Sequence, residues 1–280
     1  MKLRNYLKAW SRVGELTARG GFNLVHAQWG QSALLCLPRK LPLVIAYRGS
    51  DLAGIFGSNG RQTLPGRILA LSSRCVSLFA DHVIVVSEHL AKTLPPQVRY
   101  DVIPSGVDLS VFKPIDKRHA RTQLGWHPTR HTILFGGDPA VPGKRFLLAK
   151  QVVDTLRDRG FDPHLVRAQG IRPRDMPLYI NASDVMLLTS AHEGSPNVVK
   201  EALACNVPVV STDVGDVRIR IGEIAGCHVC EESVSTLADA VEEVLERDQP
   251  NVEGRITVLG LDERVLAKKV RQIYERVHER

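Results

Sequence analysis

With 280 residues, 44% of them apolar, the chain can bury one large core or two modest ones, and two domains is the fitting division. A net charge of +7 and a pI near 9.3 suit an anionic ligand, an anionic membrane surface or nucleic acid without choosing among them. No apolar run approaches the roughly 20 residues of a membrane span, Met1–Gly20 lacks the apolar core of a signal peptide, and five scattered cysteines make no secreted disulfide framework.

Residues 1–19 place Leu3, Tyr6, Leu7, Trp10, Val13 and Leu16 at a helical period among Lys2, Arg4, Lys8 and Arg12. Such a helix either lies on an anionic membrane or packs on the sheet that follows, and packing is the expectation. Three apolar runs come next, Leu24–Ala27, Leu43–Tyr47 and Val83–Val86, separated by helical stretches at Ser32–Leu37 and Leu64–Ala80. This alternation predicts parallel βα units, with Gln28-Trp29-Gly30, Arg48-Gly49-Ser50-Asp51 and Ser87-Glu88 at the ligand-facing strand ends. The glycine-rich loop Gly54–Gly60 lacks the Lys-Ser or Lys-Thr of a P-loop and reads as a surface loop.

Tyr100–Ile103 is a further predicted strand, and the composition shift near residue 115 predicts a domain boundary, giving domains 1–115 and 116–280. The second domain opens with the strand Thr132–Phe135 and the loop Gly136-Gly137-Asp138-Pro139-Ala140-Val141-Pro142-Gly143-Lys144-Arg145 before the helix Phe146–Arg157. Two glycines and a lysine between strand and helix make a natural phosphate site, because backbone can approach closely while an ammonium supplies charge. Beyond a helix around Arg174–Ala182, the apolar run Val185–Leu188 predicts a buried strand.

The turn that follows carries Glu193, with Ser195 as the expected N-cap and Pro196 at the first helical position. Val198, Val199, Ala202 and Leu203 form the helix's apolar face, Cys205 and Asn206 end it, and Val207–Val210 is a second strand. The amides of Ser195, Asn197 and Val198 favour an anion such as a diphosphate. Glu193 and Glu201, spaced E-x7-E, are then placed to accept hydrogen bonds from sugar hydroxyls rather than to touch phosphate. Cys227-His228-Val229-Cys230 lacks the two further ligands of a zinc site and reads as a short buried strand. Helices at Val234–Arg247 and Asp262–His278 close the chain.

The stretch HEGSPNVVKEALACNVPVVSTDVGDV resembles the signature of the family-4 glycosyltransferases of the GT-B fold, and HAQWG, YRGSD and VIVVSEHLAKTL resemble that family's acceptor-binding domain. The resemblance implies an α/β chain of two Rossmann-like domains. Set against the resemblance, the first is expected to be incomplete, because the family's opening strand, glycine loop and further βα units do not precede Met1; the strand Leu24–Ala27 is then an expected sheet edge. It implies a retaining transfer from a nucleotide-sugar donor to a glycan or lipid-linked acceptor, with the nucleotide-sugar a substrate, no cofactor, and no metal, since no Asp-x-Asp triplet stands in the sequence.

By the same resemblance Glu193 contacts the donor sugar and supports the transition state, and Glu201 binds the donor ribose. The donor site takes in Gly137, Lys144, Arg145 and the backbone of Gly194, Ser195, Pro196, Asn197 and Val198, while Ser50 and Asp51 lie on the acceptor side. Two positions depart from the family. Arg48 stands where histidine is common; it can stabilise charge but not act as a general acid. Asp138 falls at or near the arginine that ordinarily accompanies the diphosphate lysine, leaving Arg145 to compensate. These departures keep a second reading open, a non-catalytic homologue that binds sugar nucleotides or a partner. Nucleic-acid binding rests on charge alone and is not expected with 5% aromatic residues. The expected location is cytoplasmic, or peripheral on the inner face of the membrane.

Overall fold

The computed structural model describes residues 2–57, 61–247 and 252–279. The described chain divides into two compact units. One comprises the residues up to Ile55, Arg61–Pro104 and the chain from Leu266 onward; the other comprises Phe56 and Ser105–Val265. The division therefore falls at Pro104/Ser105, eleven residues before the composition shift near 115, and all but the first turn of the last helix groups with the first unit. The glycine loop expected at Gly54–Gly60 lies partly outside the described residues.

The first unit holds a four-stranded parallel sheet, β1 (Val25–Gln28), β2 (Leu43–Tyr47), β3 (His82–Val85) and β4 (Tyr100–Val102), in the order β1-β2-β3-β4. Every residue of β2 is buried, which is why it reads as a continuous apolar run instead of an alternating one. Leu43, Ile45 and Tyr47 face a core shared with Ala33, Leu52, Val76 and Leu90. Val44, Ala46 and Ile84 face the opposite side, against Leu266, Ile273 and Val277 of the helix Glu263–His278. β1 pairs with β2 alone among the described strands, as expected of an edge. His26 on that edge meets the Tyr274 hydroxyl, and burial followed by the Arg48 charge lowers its pKa.

The helix Lys2–Ala18 forms, but it does not pack as expected. None of its described side chains is buried, and Leu7 and Trp10 are 59% and 47% exposed. It is tethered by polar contacts instead: the Tyr6 hydroxyl donates to the Gln31 carbonyl at 3.1 Å and the Trp10 indole to the Leu37 carbonyl at 2.6 Å.

The second unit holds a five-stranded parallel sheet, β5 (Thr132–Phe135), β6 (His164–Arg167), β7 (Val185–Leu188), β8 (Val209–Thr212) and β9 (His228–Cys230), in the order β6-β5-β7-β8-β9. β5, β7 and β8 are buried at every residue. Their alternate side chains feed two cores. Leu134, Met186, Leu188 and Val209 pack with the helices Met176–Ala182, Asn197–Ala204 and Val217–Ile221; Ile133, Phe135, Val185, Leu187 and Val210 pack with Phe146–Asp158 and Val234–Leu245. Cys227 and Cys230 pack on these two different cores, and burial pushes both thiols up to about 11, which makes them core residues and not a reactive pair.

β8 begins and ends two residues later than its apolar run suggests. Pro208 has no N–H, so the ladder starts at Val209, and Ser211 and Thr212 stay fully buried because their hydroxyls donate to the carbonyls of Thr212 (2.8 Å) and Ser190 (2.7 Å).

Asp184, just before β7, ties the sheet to the helix Lys117–Leu124. Its carboxylate accepts from Arg121 Nη2 at 2.7 Å, Lys117 Nζ at 2.8 Å and the Thr132 amide at 2.7 Å. Arg121 is 4% exposed, so removing its counter-charge strands a buried guanidinium. Asp184→Ala is expected to cost about 3 kcal/mol of stability by urea denaturation, whereas Asp162→Ala, which removes an exposed partner of Arg130, is expected to cost about 0.5 kcal/mol or less.

Candidate active site

The order β6-β5-β7-β8-β9 puts a topological switch point between β5 and β7, because the chain leaves β5 toward one edge and returns on the other side of it. Ligands of open parallel sheets bind at the carboxyl ends of such neighbouring strands. The two loops that leave there are the lysine loop after β5 and the glutamate turn after β7. Backbone contacts join them: the Ala191 amide donates to the Gly143 carbonyl at 2.9 Å, and the Thr189 hydroxyl donates to the carbonyls of Lys144 at 3.0 Å and Arg145 at 3.1 Å.

A side chain would be tight where the lysine loop starts. A Cβ on Gly136 would lie 3.0 Å from Met186 Sδ and 3.1 Å from Val198 Cγ1, and one on Gly137 would lie 3.0 Å from the Lys144 side chain. The short 3₁₀ turn Pro142–Lys144 then aims the ammonium at Glu193, with which it forms an ion pair between half-buried and largely buried side chains. Arg145 takes the left-handed conformation (φ 52°), and its guanidinium pairs with Glu232. Its carboxylate partner is thus Glu232 and not Glu193. Asp138 accepts the Ala140 amide at 2.9 Å and shapes the loop.

The helix after the glutamate turn runs Asn197–Ala204, with Pro196 as its N-cap and no side-chain cap. Ser195 therefore lies one residue outside the capping position expected for it, and its side chain is turned elsewhere. Its hydroxyl donates to Asp216 Oδ2 at 2.8 Å and receives Lys200 Nζ at 3.1 Å. Asp216 also accepts from Arg220 Nε at 2.9 Å, and Lys200 donates to the carbonyls of Ser105 at 2.8 Å and Ser195 at 3.4 Å. Lys200 and Asp216 are 1% and 4% exposed, so this charged network is a buried support beneath the turn. From the other side Gly215, at φ 58°, presses on the turn so closely that a Cβ there would lie 2.6 Å from the Gly194 carbonyl oxygen.

Glu201 sits half-buried on the helix one residue beyond Lys200. Burial raises its carboxyl from 4.5 to about 7, with the Lys200 charge acting in the opposite direction. The second unit thus brings together Gly137, Lys144 and Glu193, and the helix that follows the glutamate turn carries Glu201. The supporting set of Lys200, Asp216, Arg220 and Gly215 was not singled out from the sequence. One signal was present: Lys200 falls among Val199, Ala202 and Leu203 on the apolar side of its helix, where a lysine must find buried partners.

The remaining expected residues belong to the first unit. Arg48 is exposed and donates through Nη2 to Gln28 Oε1 at 2.9 Å. Ser50 is exposed at the start of the short helix Ser50–Ala53. Asp51 is fully buried, and its carboxylate accepts the amides of Arg48 (3.1 Å), Gly49 (2.9 Å) and Leu52 (3.1 Å). Its oxygens are spent on holding the loop at the end of β2, so they are not presented to an acceptor as the sequence suggested. Burial is the main effect raising its pKa, and backbone hydrogen bonds, that of Gly49 and then that of Arg48, act against it.

Comparison with known proteins bears on both units. The pattern of Glycosyltransferase Family 4 matches residues 1–111, and that of Glycosyl transferases group 1 matches residues 130–247. The D-inositol 3-phosphate glycosyltransferase of Mycobacterium marinum is 27% identical over 267 residues, covering 81% of this chain and 56% of the relative. The enzyme of the same name from Segniliparus rotundus is 29% identical over 192 residues, covering 56% of this chain and 41% of its own length. The chain thus spans little more than half the length of such relatives, or less. Among solved structures, sucrose-phosphate synthase from Thermosynechococcus elongatus superposes over 98% of this chain and 78% of its own, with a TM-score of 0.80 at 18% identity. Anabaena HepE, in complex with UDP and glucose, superposes over 94% of this chain and 80% of its own, with a TM-score of 0.73 at 16% identity. These likenesses show the fold, and the two sequence patterns, which between them cover most of the chain, place it: the protein is a member of glycosyltransferase family 4 with the α/β architecture of the GT-B enzymes.

Proposed function

We propose that the protein transfers a hexose from a nucleotide-sugar donor to a glycan or lipid-linked acceptor of polysaccharide biosynthesis, with retention of configuration and without a required metal. The observation that carries this reading is the Lys144–Glu193 ion pair at the switch point, beside the uncapped start of the helix Asn197–Ala204. A diphosphate entering there meets the amides of Asn197 and Val198 and draws the Lys144 ammonium to itself. Glu193 is then released to accept the hydroxyls of the donor sugar, and Glu201 those of the ribose. Leaving-group departure is helped by positive charge already in place, the lysine and the helix start. HepE, with its bound UDP and glucose, supports a nucleotide-sugar as the donor class. The proposed location is cytoplasmic, with peripheral membrane contact through the helix Lys2–Ala18; among the described residues no helix is long and apolar enough to cross a membrane.

A second reading, a homologue that binds sugar nucleotides without turning them over, is favoured by one feature. Asp138 shapes the loop and Arg145 is paired with Glu232, so the lysine loop brings Lys144 as its single cation to the turn. Transfer or slow hydrolysis of a panel of UDP-, GDP- and ADP-sugars separates the two readings. Turnover with at least one donor is expected, falling about 100-fold or more in Glu193→Ala and Lys144→Ala. Donor binding without turnover would establish the second reading, and neither binding nor turnover would remove both.

The raised pKa of Glu201 makes a separate prediction. Ionised carboxylate accepts sugar hydroxyls more strongly than the neutral acid, so a donor that binds the ionised form expels a proton below pH 7. Donor affinity measured by calorimetry is expected to rise roughly five- to tenfold from pH 6 to pH 8 and then level off. In Glu201→Gln that rise should disappear, because the diphosphate diester itself does not titrate in this range.

A further inference from the structure

The helix Leu64–Ser77 has two apolar faces, and only one of them is inside. Gly66, Ala70, Ser73, Val76 and Ser77 are buried. On the opposite side Leu64, Ile68, Leu71, Cys75 and Leu78 follow one another at spacings of four, three, four and three residues, all within about 40° of one line down the helix. Leu64, Ile68, Leu71 and Leu78 are 71%, 63%, 64% and 48% exposed, and Phe79 at the end of the stripe is 54% exposed. The line is about 21 Å long at 1.5 Å per residue. Single exposed leucines are ordinary, but a continuous outward stripe of this length marks an interaction surface.

The charge around the stripe narrows what it meets. Arg67 and Arg74 stand to one side of the line, about 60–80° from it. No Asp or Glu occurs between Asp51 and Asp81. A second copy of the chain packed stripe to stripe would bring arginines together with no carboxylate on either helix to pair with them. The neighbouring helix Lys2–Ala18 repeats the chemistry: exposed Leu7 and Trp10 stand among Arg4, Lys8 and Arg12, and its one carboxylate, Glu15, is within ion-pair distance of Arg12 (3.3 Å) and Arg19 (3.9 Å). One short helix, Gly30–Leu34, touches both. The Tyr6 hydroxyl donates to Gln31, and Gly30 lies so close to Ser73 that a Cβ there would be 2.3 Å from its Oγ.

We propose that the outer stripe Leu64–Leu78 docks on an anionic lipid surface, side by side with the helix Lys2–Ala18. Apolar side chains of such a helix enter the acyl boundary while arginines stay among the headgroups, and a fluid plane can take two separate apolar faces at once. The inference builds on the peripheral contact proposed for Lys2–Ala18 and adds a second element, independent of it in sequence. Neither depends on the transfer reaction.

Co-sedimentation of the full chain with phosphatidylcholine vesicles, with and without 30% phosphatidylglycerol, tests it without a donor. Binding at least tenfold stronger to the anionic vesicles is expected, weakening with salt. The outward-facing double variant Ile68→Asn/Leu71→Gln and the single variant Arg67→Gln should each reduce it, the first at least tenfold, with circular dichroism and thermal midpoint unchanged. If Leu7→Gln/Trp10→Gln loses binding while the stripe variant binds as the wild type does, the stripe proposal is overturned and the contact through Lys2–Ala18 stands. No binding to either vesicle overturns both. A lipid-free dimer by light scattering that Ile68→Asn disperses would assign the stripe to self-association, and equal binding to neutral vesicles would remove the charge argument.

Discussion

An ammonium and a carboxylate from two different loops, Lys144 and Glu193, meet at the one place in the second unit's sheet where the strand order reverses. Everything around them is arranged so that this meeting is possible. Gly136 and Gly137 let the lysine loop pass close to β7 and its neighbours, the Ala191–Gly143 hydrogen bond joins the loops backbone to backbone, and the Thr189 hydroxyl joins them side chain to backbone. The pair is half-buried, and no side chain caps the helix that follows the glutamate turn. In such a place the attraction between the two charges gives each of them a partner.

Beneath the turn lies a second set of charges with a different character. Lys200 and Asp216 are almost fully buried, and a buried charge is tolerated only where hydrogen bonds replace water. Here Ser195 is the shared element: its hydroxyl links the ammonium to the carboxylate, and Arg220 closes the chain on the far side of Asp216. With Gly215 pressed against Gly194, the turn that carries Glu193 is confined from both directions. That confinement is the property a site needs if a carboxylate is to meet hydroxyls in a fixed geometry.

The first unit shows how far burial and function can part company. Asp51 has the composition of a site residue, a carboxylate after a strand, yet its oxygens are consumed by three loop amides in full burial. The helix Lys2–Ala18 has the composition of a core-covering helix, yet Tyr6, Leu7, Trp10 and Leu16 remain exposed. In both cases the environment that the residues fold into differs from the one their pattern suggests. An amphipathic period says that one face is apolar. It does not say whether that face meets this chain, another surface or water.

Local order was legible from the sequence because it depends on neighbours in the chain. The continuous apolar runs at Leu43–Tyr47, Thr132–Phe135 and Val185–Leu188 are strands because only strands buried on both faces need such runs, and their alternation with helical periods entails parallel sheets. The glutamate turn, its helix and Glu201 came from the same local grammar, as did the family. Tertiary structure alone decided the partners: that Lys144 meets Glu193, that Arg145 goes to Glu232, that Ser195 bonds Asp216 instead of capping its helix, and that the lysine in VVKEA is buried over Ser105. These pairings join residues as far apart as 95 positions, and no spacing rule reaches that far. They depend on which strand lies beside which, and strand order is settled by how whole faces pack, not by any one segment.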